Sequence, residues 1–438
     1  LLDSSVKNAA ALKSWLLILG LAALSAPAIV FRGLDDLAGV VVVEGNVERV
    51  LIFGGAIVAA AFLLTWAAET AEKDVSQGLA LAAIALIAVL PEYAVDLYFA
   101  WTAPDIPAHA HYATANMTGA NRLLVGLGWP MVFFLFWRRS RKKTLQVGGH
   151  DTSLGLVFLA AATLYSFVIP LKGNLSLIDT GVLVSLFVGY VYLVSRAPAE
   201  EPELVGPAQT IGALPNLPRR IVVILMFLYS AAAIFASAEP FANGLVDMGK
   251  QLGINEYLLI QWLAPLASEA PEFTVAAILA WRGRALAAMA MLISSKVNQW
   301  TLLIGTLPLA YSISGSTLSP LPMDSRQVEE VFLTAAQSAF AISVFASMSI
   351  SFREAALLAG LFSTQLLSPL LFGEDVNIAV RYGYGAIYLL LALLALFQDR
   401  GTIPVVFREA RHLGGGKRAL PTNPRGSSRA GGRTKKPG

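Results

Sequence analysis

"PEYAVDLYFAW" (residues 91–101) returns as "PEFTVAAILAW" (residues 271–281). Pro91/Pro271, Glu92/Glu272, Val95/Val275, Ala100/Ala280 and Trp101/Trp281 all lie 180 residues apart. Each copy sits in a long apolar run, where neither a helix breaker nor a carboxylate is comfortable. Proline donates no N–H and pushes away the carbonyl four residues back, which here means the carbonyls of Ile87 and Ala267. A freed carbonyl beside a glutamate places two hard oxygen ligands within one turn. A single such pair could be a bend carrying a protonated acid. Two of them at matching depth read as two halves of one site, because acids inside a membrane are costly and usually functional.

Composition sets the surroundings. Of 438 residues, 56% are hydrophobic and only 14% charged; soluble domains carry roughly 25% charged residues, so this chain belongs in a bilayer. There is no cysteine, which excludes disulfides and thiolate metal sites. The four histidines (His109, His111, His150, His412) are too scattered for a zinc or iron centre. No phosphate-binding glycine loop, nucleophile elbow or metalloprotease helix occurs, so the expectation is a protein that is not an enzyme and needs no cofactor.

About 20 apolar residues cross a hydrocarbon core. The hydrophobic pattern predicts spans near 14–31, 47–67, 77–101, 108–137, 153–170, 175–195, 219–241, 254–281, 286–313, 329–350, 354–372 and 377–397. The chain then divides into an N-terminal helix and loop (1–46), a first repeat (47–195), a Pro- and acid-rich cytoplasmic linker (196–218), a second repeat (219–372), an extra C-terminal helix (373–399) and a basic tail (400–438). The first helix has two readings: an extra span, or, since LSAPA follows it, a cleaved signal peptide. The tail is rich in Gly, Pro and Ser and reads as disordered, its charge suiting anionic lipid better than nucleic acid.

Lysine and arginine placement orients the spans. The cluster Arg138, Arg139, Arg141, Lys142 and Lys143 is expected in the cytoplasm. The same scheme puts Arg219/Arg220, Arg282/Arg284, Arg353 and the basic tail inside, in the plasma or inner membrane of a cell. It leaves Lys172, Lys250, Arg326 and Arg381 outside as isolated charges. The Pro91-Glu92 helix then runs outward and the Pro271-Glu272 helix inward. Five spans per half, an odd number, is what inversion requires, and inverted repeats of this kind place a transport site at the midplane. The expected fold is therefore all-α and membrane-integral, with two inverted repeats of five helices and one extra helix at each end.

The repeat continues beyond the Pro-Glu strings: "ANMTGANRLLVG" (115–126) aligns without gaps on "SSKVNQWTLLIG" (294–305). Both segments lie about ten residues into a long helix, roughly mid-membrane at 1.5 Å per residue. Two carboxylates with nearby carbonyl and amide oxygens suit Ca²⁺, which takes 6–8 oxygens in flexible geometry.

Paired Pro-Glu helices, each followed by a polar helix, resemble the calcium/cation antiporter superfamily, the sodium/calcium exchangers and their relatives. The family pattern is [Ala/Gly]-Thr-Ser-x-Pro-Glu followed by Gly-Ser-Asn-x-x-Asn, and the resemblance covers roughly residues 47–372. It implies a secondary antiporter with Glu92 and Glu272 as the central ion-binding, metal-holding glutamates. Ser268 matches the family's threonine in the second repeat, while Ser295 and Gln299 match its downstream serine and Asn/Asp positions. The gapless alignment puts Asn116 and Ala120 at those two positions in the first repeat; a shifted alignment matches Gly119-Ala120-Asn121 instead. The implied function exchanges Ca²⁺, or a similar divalent cation, for Na⁺ or H⁺ by alternating access. The alternative is a monovalent cation/proton antiporter of the same fold. Partners are then inorganic cations and the lipid bilayer, with oligomeric state open.

Several positions depart from the family pattern. Ala88 and Val89 replace the Thr-Ser pair, Glu269 replaces the second repeat's serine, and Lys296 replaces the asparagine after Ser295. In the family those hydroxyls help bind sodium, so the counter-ion is open here. Near mid-depth Glu92, Asp96, Glu269 and Glu272 face Arg122 and Lys296, a formal −2. Lys296 is expected to pair with Glu269 and take the space of a sodium ion, or else to form a structural salt bridge. Asp96, Arg122, Asn121 and Asn298 are coupling or charge-balance candidates. Glu69 and Glu239 flank a possible access path or sit at the interface. His109 and His111 could tune a pH response or simply face the surface. Trp101 and Trp281 mark helix ends.

Overall fold

Among the described residues, ten helical stretches, five from each half of the chain, build the body of the molecule, and their packing relies on small residues. In a membrane, lipid tails are as apolar as leucine, so helices associate through close packing. In the computed structural model, which describes residues 2–74, 89–196, 204–372, 374–401 and 404, helix α2 (Asn46–Ala71) buries Ala56, Ala59, Ala60 and Ala61. It lies along α10 (Asn216–Leu252), which buries Ala233, Ala238 and Ala242. A 37-residue helix α1 (Leu2–Ala38) packs on both, and Tyr229 Oη donates to the Ala22 carbonyl at 2.5 Å. Pro240 does not end α10, so this helix runs well past the expected span of 219–241.

In the first half α2 is followed by α3 (Leu90–Thr102), then by α4 (Ala108–Leu123) joined through a π turn (Leu124–Gly128) to α5 (Trp129–Ser140). Then come α6 (His150–Ser166) with a short α7 (Val168–Lys172), and α8 (Leu177–Val194). The second half follows the same order. After α10 come α11 (Glu256–Trp281), then α12 (Ala285–Asn298) joined by a π turn (Gln299–Leu303) to α13 (Ile304–Ser314). It closes with α14 (Ser325–Val344) and α15 (Phe352–Leu371), and α16 (Glu374–Gln398) lies beyond it. A short α9 (Pro207–Gly212) packs on α1 and α2 between the halves. Among the described residues, nine helices are long and apolar enough to cross a membrane.

Two small antiparallel sheets tie the halves together. Strand β1 (Thr144–Gln146) pairs with β4 (Ser349–Ser351), and β2 (Asn174–Leu175) pairs with β3 (Leu321–Pro322). Strand β1 follows the third helical stretch of the first half and β3 follows the third of the second, while β2 and β4 follow the fourth stretches. Each sheet is thus the other with its halves exchanged, as a pseudo-twofold relation between repeats demands.

Several expectations change on contact with the structure. Pro91 falls in the first turn of α3, because the helix described there begins at Leu90; the expected span of 77–101 lies partly outside the described residues. Pro271, by contrast, is interior to α11, which also contains Pro265. Arg381, expected as an isolated surface charge, is buried and its Nε donates to Glu329 Oε2 at 2.7 Å. Lys172 pairs with Asp179 rather than standing alone. Part of the linker (197–203) and nearly all of the basic tail lie outside the described residues.

Candidate ion-binding site

Four helices meet where the polar residues gather. Glycine at 119 allows the central approach: a Cβ there would lie 1.8 Å from the Gln261 carbonyl oxygen, so α4 and α11 cross backbone to backbone. Across that contact Gln261 Nε2 donates to Thr118 Oγ1 at 3.3 Å. Glu92 sits in the first turn of α3, just after Pro91, where the Val89 carbonyl accepts from both Glu92 N and Tyr93 N. A carboxylate in a first turn faces the positive end of the helix dipole. Glu269 and Glu272 lie one turn apart on α11, on either side of the Pro271 break. Proline at 271 supplies no N–H for the carbonyl of Ala267, a half-buried residue.

These elements bring three carboxylates together: one oxygen each of Glu92, Glu269 and Glu272 lies within 4.8 Å of the others. Glu92 and Glu269 are buried and Glu272 is nearly so. Polar neighbours from α12 and its π turn attend the trio. Ser295 Oγ donates to Glu272 Oε2 at 2.6 Å. Gln299 Nε2 donates to Glu92 Oε2 at 2.9 Å and also to Glu269 Oε1, so one amide bridges the two halves. Tyr93 Oη donates to Asn298 Oδ1 at 3.0 Å behind this group. Among the described residues, Glu269 Oε2 and Gln299 Oε1 have no hydrogen-bond partner. Three acids around a shared space, with an amide able to present either end, can take a hard cation or protons.

Other expected residues lie elsewhere. Lys296 does not pair with Glu269. Its Nζ donates to the Asn121 carbonyl at 3.0 Å and to Asn121 Oδ1 at 2.8 Å, beneath the face of Trp300 at 4.4 Å. The reason is geometric: the π turn that follows α12 lies against α4, and Asn121 near the end of α4 presents two oxygens to the ammonium. Ser268 turns back on its own helix, donating to the Ala264 and Pro265 carbonyls. Asp96 is fully buried beside Asn116; neither of its oxygens makes a well-formed hydrogen bond, and Asn116 Oδ1 is also unpartnered. Arg122 meets Glu330 Oε2 at 2.7 Å, both wholly buried, with its guanidinium over Trp262. Arg122 is neutralised by Glu330 away from the trio and Asp96 is not one of the three clustered carboxylates, so the site itself counts −3 before Lys296 is included and −2 with it. Glu239 is held by Arg32 of α1 at 2.7 Å, and Glu69 lies at the end of α2. His109 Nδ1 meets Thr102 Oγ1 at 2.6 Å, and His111 lies 3.1 Å from Asp324. Trp101 and Trp281 are about half exposed at their helix ends. Ile87 lies outside the described residues.

Glu329 and Glu330 are buried participants that the repeat-based comparison passes over. They were visible only as two adjacent acids at the start of the 329–350 span. Nothing in their spacing reveals that Arg122 and Arg381 come to them from two other helices.

Inverted five-helix repeats with paired acids between them define a membrane transporter of the cation-exchanger class, not an enzyme. The chain belongs to the sodium/calcium exchanger protein family, whose model matches residues 49–196 and 222–370. It is similar to the solved structure of an H⁺/Ca²⁺ exchanger, CAX, at 44% identity, covering 92% of this chain and 98% of that one with a TM-score of 0.84. The structure of native YfkE shares the fold at 15% identity, covering 80% of this chain and all of that one, with a TM-score of 0.59. A structure of the exchanger NCX_Mj aligns over 74% of this chain and 98% of that one at 17% identity, with a TM-score of 0.50. No curated protein matches the chain by sequence.

Proposed function

We propose that this protein exchanges Ca²⁺ for H⁺ across a cell membrane by alternating access, with Glu92, Glu269 and Glu272 as the ion site. The carboxylate trio carries this assignment. At an effective dielectric near 20, two unit charges 4.8 Å apart repel by about 3 kcal/mol, and three such pairs add. The trio therefore stays charged only around a cation and otherwise takes up protons. A single set of oxygens that accepts either a divalent ion or protons, but not both, is the chemical basis of antiport. Ca²⁺ fits by oxygen count and flexibility: the trio, Ser295 Oγ and Gln299 Oε1 offer the side-chain oxygens, with the Ala267 carbonyl as a further candidate. Gln299 would turn its amide, N–H toward the carboxylates when the ion is absent and oxygen toward the ion when it is present.

Similarity to an H⁺/Ca²⁺ exchanger at 44% identity supports the proton as counter-ion, and so does the loss of hydroxyl side chains before Pro91. We place the Arg138–Lys143 cluster and the basic tail on the cytoplasmic face, following the positive-inside rule. The two repeats are assigned to 47–195 and 219–372, with 1–46 and 373–399 as added helices. Uptake of radiolabelled Ca²⁺ into proteoliposomes, with H⁺ and Na⁺ gradients imposed separately, tests the function. The expected result is uptake driven by a pH gradient and indifferent to a sodium gradient. Uptake of a monovalent tracer with no Ca²⁺ flux would instead favour the monovalent cation/proton antiporter.

A further inference from the structure

We infer that Lys296 is a tethered monovalent cation, its ammonium filling an oxygen cradle on Asn121 that would otherwise bind sodium. Resting on the exchange function proposed above, this identifies a residue that sets the counter-ion. The ammonium is wholly buried. Its two hydrogen bonds go to the carbonyl and the side-chain oxygen of one residue, at 3.0 and 2.8 Å, and the Trp300 face lies 4.4 Å away. Neutral carbonyl oxygens and an aromatic face are what a desolvated monovalent cation seeks. The amide of Asn121 is pinned for the purpose: its Nδ2 donates to the Met117 carbonyl at 2.9 Å, which leaves Oδ1 facing Lys296. Three residues further on, the π turn Leu124–Gly128 begins, where the helix ladder changes register. Arg122, the neighbouring cation, cannot take this role because it is committed to Glu330.

Burying an ammonium whose hydrogen bonds go only to uncharged oxygens is a poor route to stability, because its desolvation is costly and no hydrogen-bonded carboxylate offsets it. Its use is to the site next door. With one fixed positive charge beside Glu92, Glu269 and Glu272, the trio presents a formal −2 to mobile ions, enough for one divalent cation or two protons. A mobile sodium ion could supply the same charge, but a lysine cannot leave, so it cannot be exchanged. Removing the ammonium leaves two buried oxygens unsatisfied and the trio one charge short. Both defects are cured by a sodium ion.

The test compares the wild type with Lys296→Asn, whose amide adds a third oxygen to the cradle. Thermal unfolding of the detergent-solubilised protein is followed in NaCl and in choline chloride, and Ca²⁺ uptake is followed in proteoliposomes under a sodium gradient. The wild type should unfold at the same temperature in both salts. Lys296→Asn should unfold several degrees lower in choline, recover in sodium, and gain a several-fold stimulation of uptake by the sodium gradient. A variant as indifferent to sodium as the wild type overturns the inference, as does a wild type stabilised by sodium. Should Lys296→Asn not fold, Lys296→Gln, which keeps a hydrogen bond to Asn121 without the charge, carries the same comparison. Failure of the wild type to move Ca²⁺ under either gradient would defeat the exchange function, while the unfolding comparison would still report on the cradle.

Discussion

Glutamine has nearly the volume of glutamate, so Glu92→Gln and Glu272→Gln remove charge from the trio without opening a cavity. Each should lower Ca²⁺ flux in proteoliposomes at least tenfold, about 1.4 kcal/mol, while the protein still folds; flux within twofold of wild type would exclude either residue from the site. The pair Arg122–Glu330 makes a different prediction. Both groups are buried and 2.7 Å apart, and removing one partner strands the other. Glu330→Gln should cost about 3–5 kcal/mol, whereas converting both to apolar residues of similar volume should recover most of that; thermal unfolding of the single and double variants decides it. The central pair was legible in the sequence because a repeat offset carries it. Glu269 was legible as a third acid one turn before Glu272. Lys296 was legible as a charge but not by its partner: no spacing within a helix can reveal that Asn121 of another helix supplies two oxygens.

The elements that hold the site depend on close backbone contact more than on side-chain interlocking. Glycine at 119 lets α4 touch the Gln261 carbonyl, and any Cβ would meet that oxygen at 1.8 Å. Gly119→Val should therefore push the two helices apart, lower the unfolding temperature and abolish Ca²⁺ uptake; a variant with wild-type stability and flux would show that the crossing is looser than drawn. The helices themselves were readable from apolar runs of about 20 residues. Their ends were not. Pro91 lies in the first turn of the described helix α3, with most of the expected span before it outside the described residues, whereas Pro271 and Pro240 are carried within α11 and α10. Proline fits the first turn without loss, and a membrane helix tolerates it further in when neighbours satisfy the freed carbonyl. Neighbours of that kind are a property of the packed bundle, invisible to a window moving along one chain. The π turns were equally hidden, because they change hydrogen-bond register without changing composition.

At the scale of the whole molecule, ties between the halves recur at both ends. Asp74, just after α2, accepts from Arg219 Nε at 2.8 Å and from Arg219 Nη2 at 2.6 Å near the start of α10, with Arg220 beside them. The hydrogen bonds from Arg219 hold the Asp74 carboxyl below its usual range. A lowered folded-state value stabilises the native form at pH above the unfolded carboxylate's range, and the contribution is lost as pH falls through the folded value. Asp74→Asn should therefore lower the unfolding temperature near neutral pH and narrow the gap to wild type under acid conditions; an identical pH profile for both proteins would show that the tie contributes nothing. The inverted architecture was read from charge placement and an odd number of spans. The strands that confirm the exchange of halves were missed, because two- and three-residue pairs leave no periodic signal.

Those strands carry one more consequence. Each finds its mate in the opposite half, β1 with β4 and β2 with β3. A half-length ancestor, before any duplication, would have had no mate for its strand ends within its own chain. Two copies set in opposite senses supply both pairings at once, so the chain has the internal geometry of two half-length units that complete each other's sheets.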